Sequence, residues 1–343
     1  MGTHDEIPGI DPVALGNWLT EHIDGAVGPF EYRQLTGGRS NLTYRIRAAD
    51  GRQLVVRRPP LGKVLATAHD MAREHRIITA IAQTPVPVPT PLGLCNDETV
   101  IGAPFYVMDF VDGVVLDSPA AADRLAEPLR RLASDHLIDI LADLHAADLD
   151  EIGLGDLARR DGYIERQIKR WSAQWDRSHT RELPEIEEVA RRLAANVPTQ
   201  IGVAVAHGDY RFGNCLVDTA TGRVAAILDW ELCTLGDPLA DLGYLGVYWA
   251  PPESVDAISD PTRASGFPTF DEVVERYAVK TGRDVSRIDY YVAFSAFRLA
   301  VISEGVLARY LHGVMGSDAD SVDLAQFREG TEALAEWALD LLS

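Results

Sequence analysis

Positive charge is scarce in this 343-residue sequence: 32 lysines and arginines stand against 52 aspartates and glutamates, a formal net charge of −20. So acidic a surface repels a phosphate backbone, which argues against nucleic acid as a partner. Cysteine is also scarce. Cys95, Cys215 and Cys233, an odd number in a long chain, provide neither a disulfide framework nor paired zinc-ligand spacing. No uninterrupted apolar run approaches the ~18 residues of a membrane span. The segment Met1 to Asp11 is polar and acidic rather than basic and then apolar. Internal repeats and low-complexity tracts are absent as well. The expectation is a cytoplasmic protein that engages neither nucleic acid nor membrane.

What the sequence does have is an ordinary globular composition, 46% apolar and 24% charged, with length enough for two domains. Its acidity is unevenly divided. Residues 1–112 carry 10 basic and 13 acidic side chains, a net of −3, while the remainder carries 22 and 39, a net of −17. The contrast suggests two units with different tasks, meeting at Asp112-Gly113.

The first unit reads as mainly β. Asp11-Pro12 is an N-cap followed by proline at the first helical position, opening a helix to about His22. Phe30–Leu35, Leu42–Arg47 and Gln53–Arg58 read as strands, the last two joined by an Asp-Gly turn. A helix near His69–Ala82 ends at the four prolines of Pro85–Pro91, and Phe105–Val111 is again β-rich. The second unit is mainly helical. Leu125, Leu129, Leu132, Leu137, Leu141 and Leu144 predict one apolar helix face, and further helices are expected near 161–177, 184–196, 238–249, 270–281, 287–311 and 320–342. One island of strand character interrupts them: Val203–Ala206, Cys215–Val217 and Val224–Leu228.

The polar chemistry concentrates on that island. His207-Gly-Asp209-Tyr-Arg211-Phe-Gly-Asn214 is followed, fourteen residues on, by Asp229-Trp-Glu231. Phosphoryl transfer needs such parts: one Asp to orient the attacking hydroxyl, and an Asn with a second Asp to hold magnesium against nucleotide phosphates. Four residues separate Asp209 from Asn214, the spacing of a kinase catalytic loop. Either residue alone would read as a turn former; the ordered set between strands points to a site. In the first unit, Gly37, Gly38, Ser40 and Asn41 link two strands, where backbone N–H groups can close over phosphates or simply form a turn. Arg57 offers a cation on the third strand, and Glu74 on the following helix offers its partner.

These motifs, with Ile227-Leu-Asp-Trp-Glu231, Gly236-Asp-Pro-Leu-Ala-Asp-Leu-Gly243 and Pro104-Phe-Tyr-Val-Met-Asp-Phe-Val-Asp-Gly113, resemble the aminoglycoside phosphotransferase-like kinase family. The closest likeness is to its branch found fused to acyl-CoA dehydrogenases, and it runs from about Leu35 to Tyr310. The resemblance implies an α+β, protein-kinase-like bilobal fold, with a small β-rich N-lobe (1–112) and a larger helical C-lobe (113–343). It implies ATP and Mg2+ as cofactors, with the adenine against the Tyr106–Val111 segment, which contains Met108, Asp109, Phe110 and Val111. Asp209 takes the family position of the catalytic base, and Asn214 and Asp229 those of metal ligands. Arg57 stands where a lysine is usual, keeping the charge but changing its reach and geometry.

Around the core set, His207 is expected to orient the loop through a ring N–H hydrogen bond. Arg211 either reaches the transferring phosphoryl group or forms a salt bridge. Asp237 reads as a helix cap and Asp241 as a brace for the catalytic loop. Packing is the default for His145, Cys215 and Cys233, and it outweighs substrate stacking for Trp171 and Trp175.

The reaction so implied is transfer of the γ-phosphoryl group to a hydroxyl of a small molecule. An acidic second unit would attract polycationic aminoglycosides. The branch resemblance points instead to a hydroxy acid or hydroxyacyl-CoA and to acyl-CoA metabolism. For an anionic acceptor, Arg159, Arg160, Arg166, Lys169 and Arg170 form a candidate basic patch, although a solvated helix face explains them equally. A nucleotide-binding regulatory module without turnover is the alternative: the arginine at position 57 favours it, and the intact Asp209, Asn214 and Asp229 oppose it.

Overall fold

Asp11 caps the first helix, accepting hydrogen bonds from Val13 and Ala14 N–H at 2.9 and 3.0 Å; Pro12 takes the first helical position, where a missing N–H is harmless. Helix α1 (Pro12–His22) thus starts where the sequence predicts. The computed structural model describes residues 7–35, 41–62, 69–249, 251–255, 258, 260–312 and 323–343. It divides into two compact units: residues up to Asp112 with Ala225–Glu231, and Gly113–Val224 with Leu232–Ser343.

In the first unit, strands β1 (Glu31–Leu35), β2 (Leu42–Arg47) and β3 (Gln53–Arg58), helix α2 (Met71–Ile81), and strands β4 (Pro91–Cys95) and β5 (Phe105–Asp109) follow α1. The strands form one antiparallel sheet in the order β1-β2-β3-β5-β4. Gly51 turns β2 into β3 at a φ of 89°, a left-handed value that a glycine adopts without steric cost. Alternation divides the side chains of β3 between two faces. Leu54 and Val56 enter a core with Leu15, Trp18 and Leu19 of α1 and Tyr44, Ile46, Phe105 and Val107 of the sheet. Val55 and Arg57, one residue out of phase, share the opposite face. The register sets Arg57 beside Tyr106. Strand β4 escaped sequence analysis because Pro91 opens it and its pairing shifts between Pro91 and Gly93, features that only an edge strand tolerates.

The second unit holds α3 (Pro119–Ala122), α4 (Glu127–Ala146), α5 (Tyr163–Ser178), α6 (Pro184–Ala195), β6 (Ala204–Ala206) and β7 (Cys215–Val217). Strand β8 (Val224–Ile227) then leads the chain into residues 225–231 of the first unit, where Ile227 N–H bonds to Pro87 C=O at 2.8 Å. The second unit resumes with β9 (Thr234–Gly236), α7 (Leu239–Val247), α8 (Phe270–Thr281), α9 (Ile288–Leu311) and α10 (Leu324–Leu341). Strands β6 and β9 pair antiparallel, Val205 opposite Leu235. The leucine face predicted for α4 needs correction. Leu132 is exposed, and the buried stripe is Ala133, Leu137, Ile138, Ile140, Leu141 and Leu144, because a turn of 3.6 residues carries position 132 off that stripe. Helix α9 also revises the reading of apolar runs. It is long and apolar enough to cross a membrane by length and composition, with a mean hydropathy of 1.5, and 72% of that window is buried within the protein. Charged residues such as Arg298 and Glu304 break its apolar run, so an uninterrupted-run criterion passes over it.

Helix α7 packs tightly on α9 at Gly243. A Cβ there would lie 2.5 Å from the Tyr291 carbonyl carbon, too close for either backbone to yield cheaply. Gly243→Ala is expected to destabilise the protein by about 1–3 kcal/mol, read as a lower urea midpoint at unchanged m-value. An unaltered midpoint would contradict the close approach of the two helices.

Candidate active site

The loop after β6 turns at Gly208, whose φ is 82° and whose missing Cβ would lie 2.8 Å from the Leu232 carbonyl oxygen. No side chain fits there. The loop backbone is tied down from beneath by Asp241 on α7. Asp241 Oδ2 accepts from His207 N–H at 2.7 Å and Oδ1 from Gly208 N–H at 2.8 Å. His145 of α4 holds the same carboxylate through Nε2 at 3.3 Å and meets the Tyr277 hydroxyl through Nδ1 at 2.8 Å. Asp241 is buried, and burial alone would push its carboxyl up. The hydrogen bond and charge of His145, with the Gly208 N–H, more than offset this and hold it below the usual carboxylate range. The brace expected of Asp241 is therefore present. Asp237 caps as predicted, accepting from Leu239 N–H at 3.1 Å and also from the Tyr291 hydroxyl at 2.8 Å.

His207 Nδ1 accepts the Asp209 N–H at 3.2 Å, which puts the ring proton on Nε2. The Asp209 side chain is then set by two neighbours. Asn214, on the short 3-10 turn Phe212–Asn214, donates its Nδ2 to Asp209 Oδ2 at 2.7 Å and to the Asp209 carbonyl at 2.8 Å. Arg211 Nε approaches Asp209 Oδ1 at 3.2 Å, so the salt bridge is the arrangement observed. The Arg211 guanidinium also lies over the Tyr248 ring, 4.9 Å from its centroid. The amide nitrogen of Asn214 is thus committed to Asp209, which leaves its carbonyl oxygen as the atom suited to a hard cation. Cys215 and Cys233 are buried packing residues; burial pushes the Cys215 thiol up, away from reactivity.

The first unit gathers the remaining candidates around Arg57. Its Nε lies 3.1 Å from Glu74 Oε2, although not at a hydrogen-bonding angle, and its Nη2 donates to Asp229 Oδ1 at 2.6 Å. Glu231 Oε2 stands 3.8 Å from the same Nη2. Glu74 is buried and accepts from the Tyr106 hydroxyl at 3.0 Å and from Asn41 Nδ2 at 2.9 Å. Burial is the largest influence on the Glu74 carboxyl and pushes it up, against the opposing pull of Arg57 and Tyr106. Asp229, with its φ of 64°, is the one non-glycine residue with positive φ among those described. A left-handed non-glycine backbone is costly, and such costs gather at functional sites.

Asn41 behaves differently from its expected role beside phosphates. It is 4% exposed, its Nδ2 goes to Glu74 and, at 3.4 Å, to Glu231, and its Oδ1 faces His69 Nδ1 at 2.8 Å. Its side chain secures the partner of Arg57. Gly37, Gly38 and Ser40 lie outside the described residues. In the segment expected against adenine, Met108 is buried in β5. Asp109 N–H donates to Thr90 C=O at 2.9 Å and its carboxylate pairs with Arg52 at 3.1 Å. Phe110 N–H goes to Gln53 C=O, its ring lies beneath Arg45, and Val111 follows it, half-buried. Sequence reasoning gave no role to His69 or Glu231, although Glu231 sits inside a motif it quoted; it set Tyr106 at the start of the segment expected against adenine, and only the β3–β5 register places it beside Arg57.

The family model for the phosphotransferase enzyme family matches residues 31–278. Acyl-CoA dehydrogenase family member 10 of Mus musculus is 37% identical over 322 residues, covering 92% of this chain and 29% of that protein. The chain therefore spans less than a third of this curated relative. A solved structure from Ralstonia eutropha JMP134, assigned to the aminoglycoside phosphotransferases, superposes with a TM-score of 0.80 at 32% identity, covering 96% of this chain and 98% of the other. A spectinomycin phosphotransferase solved with ADP and spectinomycin shares the fold, with a TM-score of 0.65 at 11% identity over 98% of this chain and 99% of the other. The α+β, protein-kinase-like fold is thus the fold of this chain.

The folded state prefers Asp241 ionised, so the stability it contributes is present above the ordinary carboxylate range. That stability is lost as pH falls through the depressed value. Asp241→Asn places an amide nitrogen against one of two backbone donors and is expected to cost about 3 kcal/mol at neutral pH. Urea denaturation from about pH 5 to about pH 2 should then show a shallower acid limb than wild type. Parallel limbs would refute the assignment.

Proposed function

Because the chain belongs to the phosphotransferase enzyme family, we propose that it transfers the γ-phosphoryl group of ATP to a hydroxyl group of a small hydroxy acid or its CoA thioester. The observation that carries the reading is the Asp209–Asn214 pair, locked at 2.7 Å on a loop whose backbone Asp241 clamps.

Asp209 receives the proton of the attacking hydroxyl and orients its oxygen. Little covalent chemistry is required of the protein, so the fixed position of this carboxylate is its contribution. Asn214 keeps the carboxylate in one rotamer, and Arg211 holds positive charge against it. Arg57, set by Glu74, presents a cation to nucleotide phosphates. The forked guanidinium can meet two phosphate oxygens at once, which compensates for the lysine it replaces. The Asn214 carbonyl oxygen and the Asp229 carboxylate are each, by ligand type, suited to Mg2+, which is usually held by one or two carboxylates with substrate phosphates and water. When bound, that ion neutralises charge on the phosphates. The spectinomycin phosphotransferase neighbour, solved with ADP, supports the nucleotide. The acyl-CoA dehydrogenase name of the mouse relative supports an acceptor from acyl-CoA metabolism, with polycationic antibiotics as the competing class.

The test is ADP release from ATP and Mg2+ across hydroxy acids, hydroxyacyl-CoAs, sugars and aminoglycosides. Asp209→Asn and Asp229→Asn should each lower kcat by at least about 1000-fold, in line with losing a principal electrostatic or proton-accepting group, with far-UV circular dichroism unchanged. Turnover retained in Asp209→Asn would remove the proposed base, and preference for aminoglycosides would remove the proposed acceptor class.

A further inference from the structure

Among the described residues, one buried cation in the second unit has no anionic partner. Arg298 of α9 is 8% exposed, yet among the described residues it makes no hydrogen bond or ion pair. The other buried arginines differ. Arg58 donates to the carbonyls of Pro59, Gly9 and Ile101, and Arg130 donates to Leu125 and Ser265 and pairs with Asp123. Arg298 instead lies between two aromatic rings, its guanidinium 4.7 Å from the Tyr244 centroid and 5.5 Å from that of Trp171. Stacking shields its faces, and of its nitrogens Nε is buried with no acceptor. A buried N–H without an acceptor is costly unless a ligand supplies one, and an anion is the acceptor that suits a guanidinium.

Its surroundings say where such a ligand lies. From Arg298 a line of contacts leads through Tyr244 and Tyr248, 5.4 Å apart, to Arg211 and so to the carboxylate of Asp209. In the other direction Trp171 is part of the wall of a cavity of about 460 Å³ between α5 and α9. Val301, Ile302 and Gly305 of that wall follow Arg298 on one helical face at the spacing of successive turns. Arg177, His179, Arg309 and His312 line the cavity, and among the described residues no carboxylate does. In a chain of net charge −20, a basic pocket runs against the general field.

We propose that Arg298 is an acceptor-binding residue that pairs with an anionic group of the phosphoryl acceptor, the remainder of which occupies the cavity beyond Trp171. The matching chemistry is a planar or tetrahedral oxyanion, either the carboxylate of a free hydroxy acid or a phosphate of a CoA thioester. Bidentate pairing suits both. The proposal rests on the phosphotransferase reading of Asp209, and it disfavours polycationic acceptors.

Binding without nucleotide separates the two. A series of straight-chain hydroxy acids, their neutral carboxamides and their CoA thioesters is titrated into the full chain by calorimetry, with Trp171 fluorescence as a second readout. At least one anionic series should bind tenfold or more tightly than the carboxamides, consistent with a charge-assisted hydrogen bond. Preference for free acids identifies the carboxylate; preference for thioesters identifies the phosphate. Arg298→Met should abolish the preference, Arg298→Lys should restore part of it, and Asp209→Asn should leave it intact. In turnover, Arg298→Met should raise KM for the anionic acceptor about tenfold or more, with kcat changed much less. Equal binding of anions and carboxamides by wild type would overturn the proposal whatever the variants do. Anion binding that depends on Arg298 without ADP release from any acceptor would instead overturn the phosphotransferase reading and leave the anion site standing.

Discussion

The carboxylate of Asp241, buried beneath the loop that carries Asp209, is the constraint on which the second unit's chemistry depends. A short loop turning through a left-handed glycine has few internal means of holding its shape. Here two successive N–H groups, of His207 and Gly208, are taken up by the two oxygens of one side chain. Because that side chain belongs to α7 and is in turn held by His145 of α4, the loop inherits the rigidity of a packed helical layer. The close seating of α7 on α9 at Gly243 serves the same end, since a helix that moved would carry Asp241 with it.

The first unit meets the opposite problem, a buried positive charge. Arg57 sits on a sheet face and is surrounded by Glu74, Asp229 and Glu231. Three carboxylates around one guanidinium exceed its charge. Burial pushes Glu74 up, and the Tyr106 hydroxyl and Asn41 amide supply the donors that one arginine cannot. An arginine in place of lysine suits such an environment, having more donors arranged in a plane.

Much of this was legible in the residues. Strands Leu42–Arg47 and Gln53–Arg58 carry β-rich alternation on either side of an Asp-Gly turn and begin and end as read. The loop spacing from Asp209 to Asn214 was equally readable because it rests on local order, and the pairing of Arg57 with Glu74 was readable from the kinase pattern. Interactions bridging long separations were not. Asn41 looks like a turn residue beside two glycines, and its bond to Glu74 spans 33 positions. Strand β6 was read within Val203–Ala206, but its partner β9 is three residues long, too short for a period to register. The isolation of Arg298 is the hardest to foresee, since α9 reads as a core helix and the lack of a partner is a property of three-dimensional surroundings.

The left-handed backbone at Asp229 carries a consequence for which alleles a mutational survey will recover. A β-branched side chain at a φ of 64° adds steric penalty to chemical loss. Glycine relaxes the strain but surrenders the carboxylate, and asparagine retains the shape without the charge. The tolerated alphabet at this codon is therefore very small. Alanine and valine libraries at this site will confound misfolding with inactivity unless each variant is scored separately for abundance.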